Sequence, residues 1–91
     1  MSVTVKIPTP LRRVTDGVDE IEASSDRLDG ALSILNERFP GIKERLFNDE
    51  GELHRFVNIY VNGEDVRFLS GLETPLKEGD EVSIVPAVAG G

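Results

Sequence analysis

An α+β fold, a mixed sheet covered on one face by one main helix, is predicted by three observations. Apolar residues alternate with a period of two near both ends of the chain. Between them, from Leu28 to Phe39, the spacing becomes that of a helix. Paired turn residues, Asp16-Gly17, Asn62-Gly63 and Gly79-Asp80, separate the short apolar runs. A length of 91 residues fits one domain. Its 38% apolar and 30% charged residues make an ordinary globular mixture.

Val3, Val5 and Ile7 alternate with Thr4 and Lys6, the pattern of a strand with one buried face. Pro8 and Pro10 end its ladder, because proline has no N–H to give. Past the Asp16-Gly17 turn, Val18 to Ala23 reads as a second strand, completing a hairpin with a long loop. Asp26 is the expected N-cap of the helix, with Asp29 placed to meet the positive end of its dipole. Leu28, Ala31, Leu32, Leu35 and Phe39 share one side of that helix. Gly30 in its first turn costs about 1 kcal/mol against alanine. Pro40-Gly41 closes it. Ile42 to Phe47 forms one further helical turn, and 48–52 a solvated loop.

From Phe56 the period returns to two, with Val57, Ile59 and Val61 on one face and Asn58 and Tyr60 on the other. Asn62-Gly63 makes a tight turn, since both residues tolerate positive φ. Val66 to Phe68 is expected to return as a short strand, and Glu81 to Val85 is the last one. The four phenylalanines, Phe39, Phe47, Phe56 and Phe68, are most economically core residues. The order is ββ-α-ββ-β. Right-handed crossover places the first and last strands side by side, which is the β-grasp arrangement. The domain is expected over 1–85, with 86–91 a flexible, protruding Gly-Gly tail.

Composition narrows the chemistry. Without cysteine there is no disulfide framework, thiolate metal site or thiol nucleophile. A net charge of −7 argues against nucleic acid and anionic lipid as partners and favours a basic patch on a protein. The start of the chain lacks the pattern of a signal peptide, and no run reaches the roughly 20 apolar residues of a membrane span. A soluble cytoplasmic protein is the simplest expectation. Phosphate-binding, zinc-protease and serine-hydrolase motifs are absent, so no metal, cofactor or enzymatic catalytic residue is expected. His54, the one histidine, is expected at a strand entrance as a surface or packing residue. Asp49, Glu50 and Glu52 lack the spacing of a calcium loop and read as a solvated turn.

One feature survives this screen: the sequence closes on Gly90-Gly91. At an average glycine usage of about 7%, a pair at two given positions arises by chance roughly once in two hundred sequences. Without a Cβ on its last two residues, such an end can enter a channel that excludes other side chains. Six residues past the last strand reach about 20 Å when extended. That length lets Pro86, Ala87, Val88, Ala89 and Gly90 lead the Gly91 carboxylate into another protein's active site. A carboxylate is a poor electrophile and must be activated. With no nucleotide site in this chain, an activating enzyme must supply the ATP chemistry.

The ending Leu76-Lys-Glu-Gly79-Asp80-Glu-Val-Ser-Ile-Val-Pro86-Ala-Val-Ala-Gly90-Gly91, together with Val61-Asn62-Gly63, resembles the ubiquitin-like sulfur-carrier family. That family includes the thiamine-pathway carrier and the small subunit of molybdopterin synthase. The stretches Val3 to Thr9, Leu53 to Asn62, Glu64 to Phe68 and Pro86 to Gly91 are most similar to its actinobacterial branch serving cysteine biosynthesis. The resemblance implies that Gly91 is adenylated by an enzyme of the E1-like type and converted to a thiocarboxylate. It also implies a PLP-dependent cysteine synthase that takes the sulfur, and a zinc metalloprotease that releases cysteine. The chain would then be a protein cosubstrate. A molybdopterin synthase subunit, a covalent protein modifier and a plain β-grasp binding module remain as alternatives.

Overall fold

A computed structural model describes residues 2–86. Strand β1 (Val3–Lys6) points Val3 and Val5 into the core and leaves Lys6 exposed, as its alternation demands. A 3₁₀ turn at Thr9–Leu11 follows, with Pro10 inside it, where the missing N–H costs nothing. Thr15 is fully buried in this loop, and its hydroxyl donates to the Val18 carbonyl at 2.8 Å. That bond holds Val18 in the loop, so strand β2 spans only Glu20–Ala23, two residues later than its apolar pattern begins.

Helix α1 (Leu28–Arg38) buries Leu28, Ala31, Leu32 and Leu35 against the sheet. Its N-cap is Arg27 rather than Asp26. Ser25 decides this: its Oγ accepts from the Arg27 N–H at 3.2 Å and donates to the Arg27 carbonyl at 2.8 Å. Asp29 sits in the first turn as expected and also receives the Arg27 guanidinium at 2.7 Å. After Phe39, a 3₁₀ turn at Pro40–Ile42 buries Ile42 and leads into the short helix α2 (Lys43–Leu46), which buries Leu46.

Strand β3 (Val57–Val61) buries Val57, Ile59 and Val61. Asn62 (φ 51°) and Gly63 (φ 89°) form the two-residue turn into β4 (Glu64–Asp65). The expected return strand at Val66 to Phe68 does not form. The Asp65 carboxylate instead accepts from the Arg67 N–H at 2.9 Å and caps a 3₁₀ turn there. Strand β5 (Glu81–Pro86) buries Val82 and Ile84.

The five strands form one mixed sheet in the order β2-β1-β5-β3-β4. β1 and β5 are parallel neighbours, and β5 is antiparallel to β3, so the first and last strands do lie side by side. Together with α1 across one face, this is the ubiquitin-like β-grasp fold. The core is built from valine, isoleucine, leucine and alanine, and none of the four phenylalanines is fully buried. Phe39 and Phe47 pack on its margin, while Phe56 and Phe68 are 52% and 87% exposed. Branched aliphatics fill the narrow space between one helix and a sheet, leaving the rings outside it.

Candidate functional site

The structure directs attention to where β5 ends. This strand has a neighbour on each side and is the most enclosed of the sheet. Its entrance is clamped by the two turn motifs singled out in the sequence. The Asn62 side chain donates from Nδ2 to Asp80 Oδ1 at 2.9 Å and accepts the Glu81 N–H on Oδ1 at 2.9 Å. The other Asp80 oxygen accepts the Lys77 N–H at 2.8 Å. These bonds, that from Asn62 first, hold the Asp80 carboxyl below the usual carboxylate range. Asn62-Gly63 and Gly79-Asp80 thus fix where β5 begins and lie at the opposite end of that strand from Pro86.

At its exit, β5 runs through Pro86, which pairs with Val57. Pro86 was expected to open the tail; it is the last residue of the strand. The register makes proline harmless here. The Asn62 N–H donates to the Glu81 carbonyl, and from that pair the alternation turns the Pro86 nitrogen away from β3. On that other side, the β1 ladder has already ended at Lys6 opposite Ser83. Ala87, Val88, Ala89, Gly90 and Gly91, to which tail insertion and activation were assigned, lie outside the described residues.

Around this exit, Val85 is 43% exposed and stands opposite Asn58. The His54 and Phe56 rings stack at 4.9 Å with 10° between their planes. His54 Nε2 lies 3.1 Å from the Glu44 carbonyl, so the histidine is a packing residue at the strand entrance, as expected. Asn48 organises the acidic loop: its Oδ1 accepts the N–H groups of Glu50 and Glu52 at 2.9 and 3.0 Å. Among the described residues no group of three or more His, Cys, Asp or Glu side chains could hold a metal ion. No described helix is long and apolar enough to cross a membrane. Sequence reasoning missed the exposed aromatics. The available signal was that Phe68 and Leu69 follow a turn without an alternating partner run.

The ThiS family model matches residues 5–91. The chain belongs to the ThiS family. It is 55% identical over 93 residues to the sulfur carrier protein CysO of Mycobacterium tuberculosis, covering 100% of both chains. Among solved structures it is similar to one of the Amycolatopsis orientalis BexX/CysO complex, with a TM-score of 0.90 and 50% identity over 98% of this chain and 99% of that one. The crystal structure of SAMP1 from Haloferax volcanii matches with a TM-score of 0.85 and 30% identity over 100% of each chain. The family and the fold expected from the turn motifs and strand pattern are therefore the right ones.

Proposed function

We propose that this ThiS-family chain is a sulfur carrier whose Gly91 carboxylate is the working group, most directly for cysteine biosynthesis in the cytoplasm. The observation that carries the reading is the 55% identity to a CysO that spans both chains completely, the last residues included. What supports it in the fold is that β5, the central strand, ends at Pro86, five residues before Gly91 in the sequence.

The chemistry follows from the group. The Gly91 carboxylate attacks the α-phosphorus of ATP on an E1-like enzyme, giving the acyl adenylate and releasing pyrophosphate. A sulfide equivalent then attacks the acyl carbon and AMP leaves with the C–O electron pair, giving a thiocarboxylate. The charged sulfur is a soft nucleophile on a glycine that offers no steric barrier. On a PLP-dependent cysteine synthase this sulfur bonds to the β-carbon of an activated serine, whose activating group leaves, so that cysteine is joined through its sulfur to the Gly91 acyl group. The cysteine amino group then takes the acyl group from the sulfur, and a zinc metalloprotease hydrolyses the resulting amide bond, releasing cysteine and restoring the Gly91 carboxylate. In this division of labour the carrier binds neither ATP nor PLP itself.

The test is intact mass spectrometry of the chain purified from its own cells, followed by single turnover with the cysteine synthase. One sulfur in place of one oxygen at the C-terminus, and then a cysteine joined to Gly91, is the expected result. Absence of the adduct, with efficient delivery to a molybdopterin precursor, would move the assignment to a synthase subunit. The match to SAMP1, a small archaeal modifier protein, favours a second reading as a covalent modifier. Branched conjugates through Gly91 in the same spectra would support it.

A further inference from the structure

Strand β2 stands at one edge of the sheet, with β1 on one side and no strand on the other among the described residues. The pairing fixes which way its peptide groups point. The Ile7 N–H donates to the Asp19 carbonyl at 2.8 Å, so Val5 with Ile21 and Val3 with Ala23 are the hydrogen-bonded pairs of this antiparallel register. Thr4 obeys the same alternation, since its N–H turns the other way, to the Asp80 carbonyl at 2.9 Å beside β5. The N–H and C=O groups of Glu20 and Glu22 therefore point outward from the edge, and no hydrogen bond takes them among the described residues. Both residues are exposed, whereas Ile21 and Ala23 are buried.

The same two residues set the charge of the edge. Their side chains lie on the face of the sheet opposite the core, where Ile21 and Ala23 point inward. Lys6 stands opposite Glu20, but its ammonium is drawn toward β5, with Nζ 3.8 Å from a Glu81 oxygen. Neither Glu20 nor Glu22 has an ion pair among the described residues.

We propose that this edge takes an extended basic segment of a partner protein, antiparallel to β2, with arginine or lysine at alternate positions. Two residues of that segment each exchange a pair of backbone hydrogen bonds, one with Glu20 and the other with Glu22. Their side chains then stand on the same face as the two carboxylates, and the arginine fork fits a carboxylate best. The net charge of −7 draws such a segment in from a distance. A second copy is opposed at both ranges. Two chains of net −7 repel, and antiparallel pairing of two β2 strands about Ile21 sets each Glu20 against a Glu22. The site lies two strands away from β5, so a bound segment does not lie against the strand that ends at Pro86. The proposal does not depend on the sulfur-carrier reading.

The experiment is an amide-resolved NMR titration of the full chain with three synthetic peptides. They are acetyl-Thr-Arg-Val-Arg-Thr-amide, its Glu-for-Arg counterpart, and the arginine peptide methylated on both arginine backbone nitrogens. The expected result is saturable shifts of the Glu20 and Glu22 amides with the arginine peptide, and binding of the acidic one weaker by at least about tenfold. N-methylation keeps the charge and removes two of the strand's hydrogen-bond donors, so it should abolish those shifts. Glu20→Gln with Glu22→Gln should lower arginine-peptide affinity about tenfold. Glu50→Gln with Glu64→Gln removes the same net charge from the loop after α2 and from the opposite edge of the sheet, and should leave the affinity within about twofold. No saturable shifts up to the solubility limit, equal affinity for the acidic peptide, or undiminished binding of the methylated one would overturn the proposal. So would the same shifts appearing with protein concentration alone, which assigns the edge to a second copy.

Discussion

Replacing Asn62 separates the two things this residue does, and the geometry sets the size of each. Its backbone lies at φ 51°, and its side chain makes one bond to Asp80 and one to the Glu81 N–H, each of 2.9 Å. Asn62→Gly keeps the turn conformation and removes both bonds, worth about 0.5–1.5 kcal/mol each. These bonds are exposed, so the low end applies, about 1 kcal/mol in all. Glycine adds about 0.5–1 kcal/mol through its larger loss of freedom on folding, for a total near 2 kcal/mol. Asn62→Ala loses the same bonds but meets the left-handed penalty of about 1–2 kcal/mol instead, ending roughly 0.5–1 kcal/mol lower still.

For a domain of this size each kcal/mol shifts the melting temperature by about 4–8 °C, so the three proteins should melt in the order Asn62, Gly, Ala. Acidity adds a second readout. Asp80 has a folded pKa below its unfolded one, so its contribution is present above the unfolded pKa and is lost as pH falls through the folded one. The gap between parent and Asn62→Gly should therefore be full at neutral pH and shrink once the pH drops below about 4. The assay is thermal and denaturant unfolding across that range. Alanine melting with or above glycine, or a gap that does not change with pH, would refute the reasoning.

Gly30→Ala, an expected gain of about 1 kcal/mol in an open helix, should instead leave stability unchanged or lower, because the new Cβ would collide with Ser25 Oγ. Thermal melts should show the gain of about 1 kcal/mol when Gly30→Ala is compared within a Ser25→Gly background, which by itself loses both bonds to Arg27. Removing Gly91 should abolish sulfur transfer while leaving the melting temperature within error, since the buried side chains of β5 end at Ile84; a large loss of stability would show instead that Gly91 is packed. Gly90→Val should slow single-turnover transfer more than Val88→Ala, because a branched side chain widens the terminus and stiffens its backbone.

Where the sequence was informative, a local pattern and the tertiary environment agreed. Val57, Ile59 and Val61 alternate because one face is buried in the core, and Asn62-Gly63 carries the paired positive φ angles that close so short a turn. The adjacency of the first and last strands came from crossover handedness and needed no side-chain detail. Failures arose where a side chain competed for the backbone. Val66 to Phe68 has the alternation of a strand, yet the Asp65 carboxylate turns it into a 3₁₀ turn. Likewise Ser25 takes over the start of α1 from Asp26. The phenylalanines were misplaced for a volumetric reason: aromatic residues usually lie inside, but the space under one short helix is already filled by smaller branched chains. Gly91, whose role rests on the chain's likeness to CysO, lies outside the described residues.

The parallel pairing of β1 and β5 has a mechanical consequence. Val3 opens one strand, Pro86 closes the other, and the two run in the same direction, so these residues lie at opposite ends of the shared ladder. A force drawn on the C-terminal end while the body is held loads the ladder along the strands and not across them. Hydrogen bonds loaded in shear share the tension and must rupture together, whereas those of a hairpin opened from its end break one at a time. β5 is gripped in this way on both flanks, by β1 and by β3. A pull on the end of β5 is therefore spread across the sheet without peeling off its central strand.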